Sequence, residues 1–173
     1  MAKPLTRGLI SIDALVNNAA ILGDFTAPLS QQMTAAFLTN ATGPTVVVQA
    51  FTPLLAKSTK TPRIVNVTSG AGSISLRVDY TNEHQKMVAI PYRTSKAVLN
   101  MVTVCQAYEH GPKGWKVFAY CPGHTESDLG PMNKVEFGAK LTSEGAGPMV
   151  GIIAGERDGE HGGFLRADGQ WAW

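Results

Sequence analysis

The feature that most constrains this chain is its alternation of short apolar runs with longer stretches of helical spacing. The runs are Ala14-Leu15-Val16-Asn17, Arg63-Ile64-Val65-Asn66-Val67-Thr68, Trp115 to Tyr120, and a short Gly163-Phe164-Leu165. These runs read as strands, and the β-branched run from Ile64 to Thr68 suits a sheet covered on both faces. Before the second run, Ser30 reads as an N-cap with Pro28 just ahead of it. Apolar residues then continue at helical spacing through Val46, Val47, Val48, Phe51, Leu54 and Leu55, and Gly43-Pro44 predicts a bend or break inside that stretch. A helix is expected from Tyr92 to Tyr108, ended by Gly111-Pro112, and another from Thr142 or Ser143 through Ile153. The order β-α-β-α-β-α-β predicts an α/β fold with a parallel sheet. Right-handed crossovers then place helices on both faces. Residues 70–91 read as a long Gly- and Ser-containing loop, and such a stretch inside a compact domain is functional or mobile.

Length sets the scale of that fold: 173 residues make one domain, with no linker and no internal repeat. The 15 Lys and Arg against 13 Asp and Glu leave a net charge of +2. This is no footprint for nucleic acid and offers no basic cluster for a membrane surface. No apolar run approaches the ~18 residues of a membrane span. Met1 to Ile12 lacks the apolar core of a signal peptide, so a cytoplasmic protein is expected. Charged residues are 16%, below the roughly 25% usual for soluble domains. That deficit predicts surface covered by a partner subunit.

Several residues are set aside by spacing. Cys105 and Cys121 form no Cys-x-x-Cys pair and read as two reduced thiols. His84, His110, His124 and His161 lack metal-ligand spacing, so no metal site is predicted. His124, in the Pro122-Gly123 turn, is retained as a candidate substrate contact. No Gly-x-Ser-x-Gly elbow is present, which disfavours hydrolase chemistry. Gly70-Ala71-Gly72 and Gly145-x-Gly147-x-x-x-Gly151 lack the strand-turn-helix context of a phosphate cradle.

The spacing Tyr92-x-x-x-Lys96 is different. Four residues place both side chains on one helix face, one turn apart. A tyrosine ionises near pH 10. A neighbouring ammonium favours the phenolate, which would bring proton transfer by Tyr92 closer to neutrality. Other signals accompany the pair in order: Asn17-Asn18-Ala19-Ala20 after the first strand, Asn40 in Thr39-Asn40-Ala41-Thr42-Gly43, Ser69 at the end of the second strand, and Pro122-Gly123-His124-Thr125 after the third. The chain closes on Gly162-Gly163-Phe164 and on Asp168-Gly169 to Trp173.

Taken together, these motifs resemble the short-chain dehydrogenase/reductase family, on its carbonyl-reductase-like branch, over nearly the whole chain. The resemblance implies the carboxyl half of a doubly wound, Rossmann-like parallel sheet with flanking helices. It implies Tyr92 as the catalytic acid/base and Lys96 as the residue that lowers its pKa and holds a nicotinamide ribose. Ser69 would hydrogen-bond the substrate carbonyl, and Asn40 would kink its helix and anchor a water relay to Lys96. Asn17 and Ala19 would line the cofactor cleft, and Pro122, Gly123 and Thr125 would face the nicotinamide of NADP or NAD. The departure is the missing Thr-Gly-x-x-x-Gly-x-Gly turn, which in the family holds the pyrophosphate at a helix N-terminus. The chain therefore reads as a truncated member, single-domain over residues 1–173, starting just before the family's fourth strand. A second departure is Ala20, where the family usually has glycine.

Three functions follow. One is NADP(H)-linked reduction of a small-molecule carbonyl substrate. The second is cofactor-independent chemistry on a carbonyl compound by Tyr92, Lys96 and Ser69, such as enolisation, dehydration, aldol or cyclisation. The third is a non-catalytic remnant acting as a binding partner. Residues 70–91 and 124–141 are expected to form a substrate lid lined by Met87, Ile90, Met132 and Phe137. A homodimer or homotetramer is expected, through the long helices or the unpaired edge at Ala14–Asn17.

Overall fold

The computed structural model describes residues 10–81 and 87–173. His84 and part of the expected 70–91 loop lie outside the described residues. The sheet has five strands in the order β1-β2-β3-β4-β5. These are β1 (Ala14–Asn17), β2 (Arg63–Val67), β3 (Lys116–Tyr120), β4 (Phe164–Arg166) and β5 (Gly169–Gln170). The first four run parallel, with Asn17 beside Asn66 and Val67 beside Tyr120. Ala19, Ser69 and Pro122 therefore leave the sheet at one carboxyl edge, where open α/β sheets bind ligands. The short antiparallel β5 was not expected. It forms because Gly169, at φ +153°, lets the chain reverse directly after Asp168 and pair with β4.

The helices are α1 (Leu29–Phe37), α2 (Gly43–Leu55), α3 (Ile74–Arg77), α4 (Ile90–His110) and α5 (Thr142–Ala154). α1 starts directly after Pro28 with no side-chain cap, so Ser30 is an internal residue and not the expected N-cap. The expected break at Gly43-Pro44 is a widened π turn over Leu38–Thr42, after which the helix resumes. Pro44 lacks the N–H that an α-helix would aim at the Asn40 carbonyl, so the helix is loosened one turn before the proline. α4 begins two residues earlier than Tyr92, with Pro91 in its first turn, where a missing N–H costs nothing. The expected loop from residue 70 is partly ordered: Ser69 caps a 3-10 turn at Gly70–Gly72, and Ser73 caps α3.

Alternate strand residues build two packing layers. Ile64 and Val117 pack with Val48 and Leu55 of α2 and with Ala107 of α4. Val65, Phe118, Tyr120 and Leu165 pack with Ile152 of α5. The α4 layer is not purely apolar. Asn17 Nδ2 donates to Asn66 Oδ1 at 2.8 Å, and Asn66 Nδ2 donates to Thr103 Oγ1 and Gln106 Oε1, both at 2.9 Å. All four residues are buried, so every bond replaces one lost to water.

Candidate active site

Ser69 follows β2 in extended conformation, and its Oγ accepts the Ala71 N–H at 3.1 Å. With its lone pair so used, the Ser69 hydroxyl proton is free to point away from the turn. It approaches Tyr92, whose pKa it pulls down. Tyr92 lies in the first turn of α4 and is buried. Lys96 lies one turn further along, 2% exposed. Its Nζ sits 5.8 Å from the Tyr92 ring centroid and donates to the Val67 carbonyl at 2.8 Å. Ser69, Tyr92 and Lys96 therefore converge at the carboxyl edge of the sheet.

The electrostatics run opposite to the expectation from spacing. Burial drives Tyr92 up to about 12, against the smaller downward pull of Ser69. Burial likewise drives Lys96 down to about 8. The reason is desolvation, which penalises both charged forms more than an ammonium beside the ring favours one of them. Tyr92 is thus a protonated donor at neutral pH, suited to giving a proton to a developing oxyanion.

Asn40 is fully buried inside the π turn. Its Oδ1 accepts the Ile21 N–H at 2.8 Å, and its Nδ2 donates to the Ile21 carbonyl and to Ser95 Oγ, both at 2.9 Å. Ser95 in turn donates to the Tyr92 carbonyl at 2.8 Å. The side chain thus ties the strand-following segment that contains Ala19 to the helix that carries Tyr92. Asn17 turns its amide into the network with Asn66. Gly123 adopts φ +78°, and a Cβ there would meet Lys140 at 3.2 Å. Thr125 bends its hydroxyl back onto the Pro122 and Gly123 carbonyls. His124 is exposed, and its Nε2 lies 2.9 Å from the Met132 carbonyl, so it braces the 124–141 segment. Met87, Ile90, Met132 and Phe137 are all exposed.

Three contributors escaped the sequence reading. Cys121 is buried and accepts the Gly70 N–H at 3.2 Å. Its position directly before Pro122 was the available signal. Trp171 Nε1 lies 3.8 Å from where a Gly70 Cβ would sit, and Ala172 accepts a bond from Ser73 Oγ at 2.7 Å. The closing Asp168-to-Trp173 segment therefore straps the serine turn. The third is Asn100, one turn beyond Lys96, buried against that same turn.

A parallel sheet whose carboxyl edge gathers a serine, a tyrosine and a lysine defines a class of enzyme-like α/β proteins, and the comparisons give the family. The sequence profile of short chain dehydrogenases matches residues 2–135. This chain belongs to the short-chain dehydrogenase family. It is 37% identical over 145 residues to the short-chain dehydrogenase anuI of Penicillium roqueforti, covering 81% of this chain and 56% of that protein. It is 30% identical over 171 residues to the short-chain dehydrogenase/reductase ATR10 of Stachybotrys chlorohalonatus, covering 91% of this chain and 59% of that one. The chain thus spans a little over half the length of these relatives. Among solved structures, it superposes on an NADPH-bound carbonyl reductase from chicken fatty liver with a TM-score of 0.78 at 29% identity, over 97% of this chain and 68% of the other. The carbonyl reductase Sniffer of D. melanogaster gives 0.79 at 26%, over 97% and 69%.

Proposed function

We propose that this chain carries the carbonyl-handling machinery of an NADP(H)-linked carbonyl reductase. The observation that carries this reading is the convergence of Ser69, Tyr92 and Lys96 at the carboxyl edge. A carbonyl oxygen at that edge accepts hydrogen bonds from the Ser69 and Tyr92 hydroxyls. As negative charge builds on the oxygen, two positioned donors stabilise it. Tyr92 then transfers its proton, and the Lys96 ammonium, largely charged below about pH 8, stabilises the phenolate left behind. A reduced nicotinamide, when bound, supplies the hydride.

The chain's residues fit one end of such a cofactor. Lys96 has donors beyond the one it gives Val67, and Asn17, Ala19, Pro122, Gly123 and Thr125 gather at the ends of neighbouring strands where a nicotinamide ribose would be held. The sequence offers no glycine-rich strand-to-helix turn for the pyrophosphate. In a second reading, Tyr92, Lys96 and Ser69 enolise or dehydrate a carbonyl substrate without hydride transfer, using the same convergence of three side chains. The exposed Met87, Ile90, Met132 and Phe137 suit a hydrophobic substrate. As partner we take a second copy of this chain, because Met101, Val104, Cys105 and Tyr108 form one exposed stripe on α4.

Fluorescence titration of the chain with NADPH and NADH tests the choice. Saturable binding in the micromolar range is the expected result. No binding up to millimolar nucleotide would overturn the reductase reading in favour of the non-redox one.

A further inference from the structure

The turn that carries Ser69 is rigid in itself. Gly72 N–H bonds the Ser69 carbonyl at 2.8 Å, Ser73 N–H bonds the Gly70 carbonyl at 3.1 Å, and Ala71 N–H bonds Ser69 Oγ at 3.1 Å. Such a unit moves as a whole, so what fixes its placement fixes the Ser69 hydroxyl. On the α4 side, Arg93 Nη1 donates to the Ala71 carbonyl in the middle of the turn at 3.1 Å, and the two ends are fastened by one other side chain. Thr68 Oγ1, just before Ser69, donates to Asn100 Oδ1 at 2.6 Å. Asn100 Nδ2 donates to the Gly72 carbonyl, just after the turn, at 3.3 Å. Asn100 is 4% exposed, and Thr68 and Gly72 are buried.

Asn100 also stands in a particular place on its helix. Tyr92, Lys96 and Asn100 recur at intervals of four, which lays them along one face of α4. The neighbouring buried amides, Asn66 of β2 and Gln106 of α4, bond to each other deeper in the molecule. Gly72 lies so close to α4 that a Cβ there would come within 2.7 Å of the Lys96 carbonyl carbon. The turn cannot approach the helix further; it can only lift away. From the far side it is held by the sulfur contact of Cys121 to Gly70 N–H at 3.2 Å and by the closing strap, where Ser73 Oγ donates to the Ala172 carbonyl at 2.7 Å, so it would pivot on that side.

We propose that Asn100 is a positioning residue that sets the Ser69 hydroxyl against Tyr92, one buried carboxamide fastening both ends of the serine turn to the helix that carries Tyr92 and Lys96. This rests on the reading of Ser69 and Tyr92 as the carbonyl-handling pair. Asn100 itself touches no reacting atom. Its removal leaves the Gly72 carbonyl without its side-chain partner and the Thr68 hydroxyl with only the 3.5 Å contact to the Lys96 carbonyl, and the turn relieves this by lifting toward water.

The test is a double-mutant cycle on turnover of 4-nitrobenzaldehyde with NADPH. Asn100→Ala alone lowers kcat by roughly 10- to 100-fold while KM stays within about threefold, as expected for a misplaced reacting group. In a Ser69→Ala background, Asn100→Ala costs less than about twofold, because its effect passes through Ser69. A merely structural role carries the same loss into both backgrounds, and that result, or no loss with Ser69 present, overturns the proposal. Normal turnover by Ser69→Ala overturns the parent reading instead. If turnover is absent or Asn100→Ala does not fold, amide hydrogen exchange in Asn100→Ser decides. The expected result is at least about tenfold faster exchange at Ala71, with the α4 amide of Thr103 unchanged, as local opening allows. Unaltered exchange at Ala71 overturns the proposal.

Discussion

Tyr92 and Lys96 stand four residues apart, and at the residue scale their chemistry is decided by burial more than by proximity. Tyr92 is pushed up to about 12 and Lys96 down to about 8. The sign for activity follows. Below about 8, Lys96 carries its charge and stabilises the phenolate formed when Tyr92 gives up its proton. As pH rises through that value the amine becomes neutral, while Tyr92 keeps its proton. Turnover is therefore expected to fall through about pH 8, and Lys96→Met should turn over more slowly with no such limb. A limb that survives in Lys96→Met would assign it to another group. The spacing of the pair was legible in the sequence, because it is fixed by local order along the chain, whereas Ser69 and Asn40 were singled out by the family resemblance. The direction of the pKa shifts was not, because it depends on what later folds over the pair. The same holds for Cys121, which is separated from Gly70 by 51 positions.

Elements were legible where periodicity alone decides them. β1, β2 and β3 lie where the short apolar runs place them, and α5 opens at Thr142 as its boundary signals indicate. Boundaries moved where tertiary contact or proline chemistry intervened, as at the π turn before Gly43 and at the start of α4. The serine turn was the least legible element, since its order comes from contacts with α4, Cys121 and the closing strap. Its closeness to α4 gives a prediction. Gly72→Ala sets a Cβ 2.7 Å from the Lys96 backbone and 2.9 Å from Ala97 N. Backbone cannot give way as a side chain does, so a loss of about 1–3 kcal/mol is expected in urea unfolding. Gly147→Ala, in the exposed interior of α5 with nothing within 4 Å, should change stability by less than about 1 kcal/mol, since helix propensity gained there is offset by the crowding of a Cβ before Pro148. Equal effects at the two sites would remove the argument for a close-packed serine turn.

At the scale of the molecule, the parallel sheet sets Ser69, Tyr92 and the Pro122-Gly123 turn at one edge, and a stripe of α4 is exposed among the described residues. β1 pairs only with β2 among the described residues, and strand edges of this kind template pairing. The α4 stripe includes Met101 at 64% and Tyr108 at 86% exposure, and a symmetric helical dimer would cover it. Light scattering is expected to give a dimer or tetramer for the native chain, with Met101→Lys breaking the helical contact. A native monomer at micromolar concentration would contradict that expectation. The chemistry at the carboxyl edge is the central claim, and one measurement addresses it most directly: alcohol formed from a hydrophobic aldehyde with NADPH, by the native chain and by Tyr92→Phe. Stoichiometric alcohol and NADP formation is expected for the native chain. Removing only the Tyr92 hydroxyl should slow it by roughly 10²–10⁴-fold, the span of a general acid, with thermal unfolding little changed. Reduction by Tyr92→Phe within a few-fold of the native rate would contradict the account.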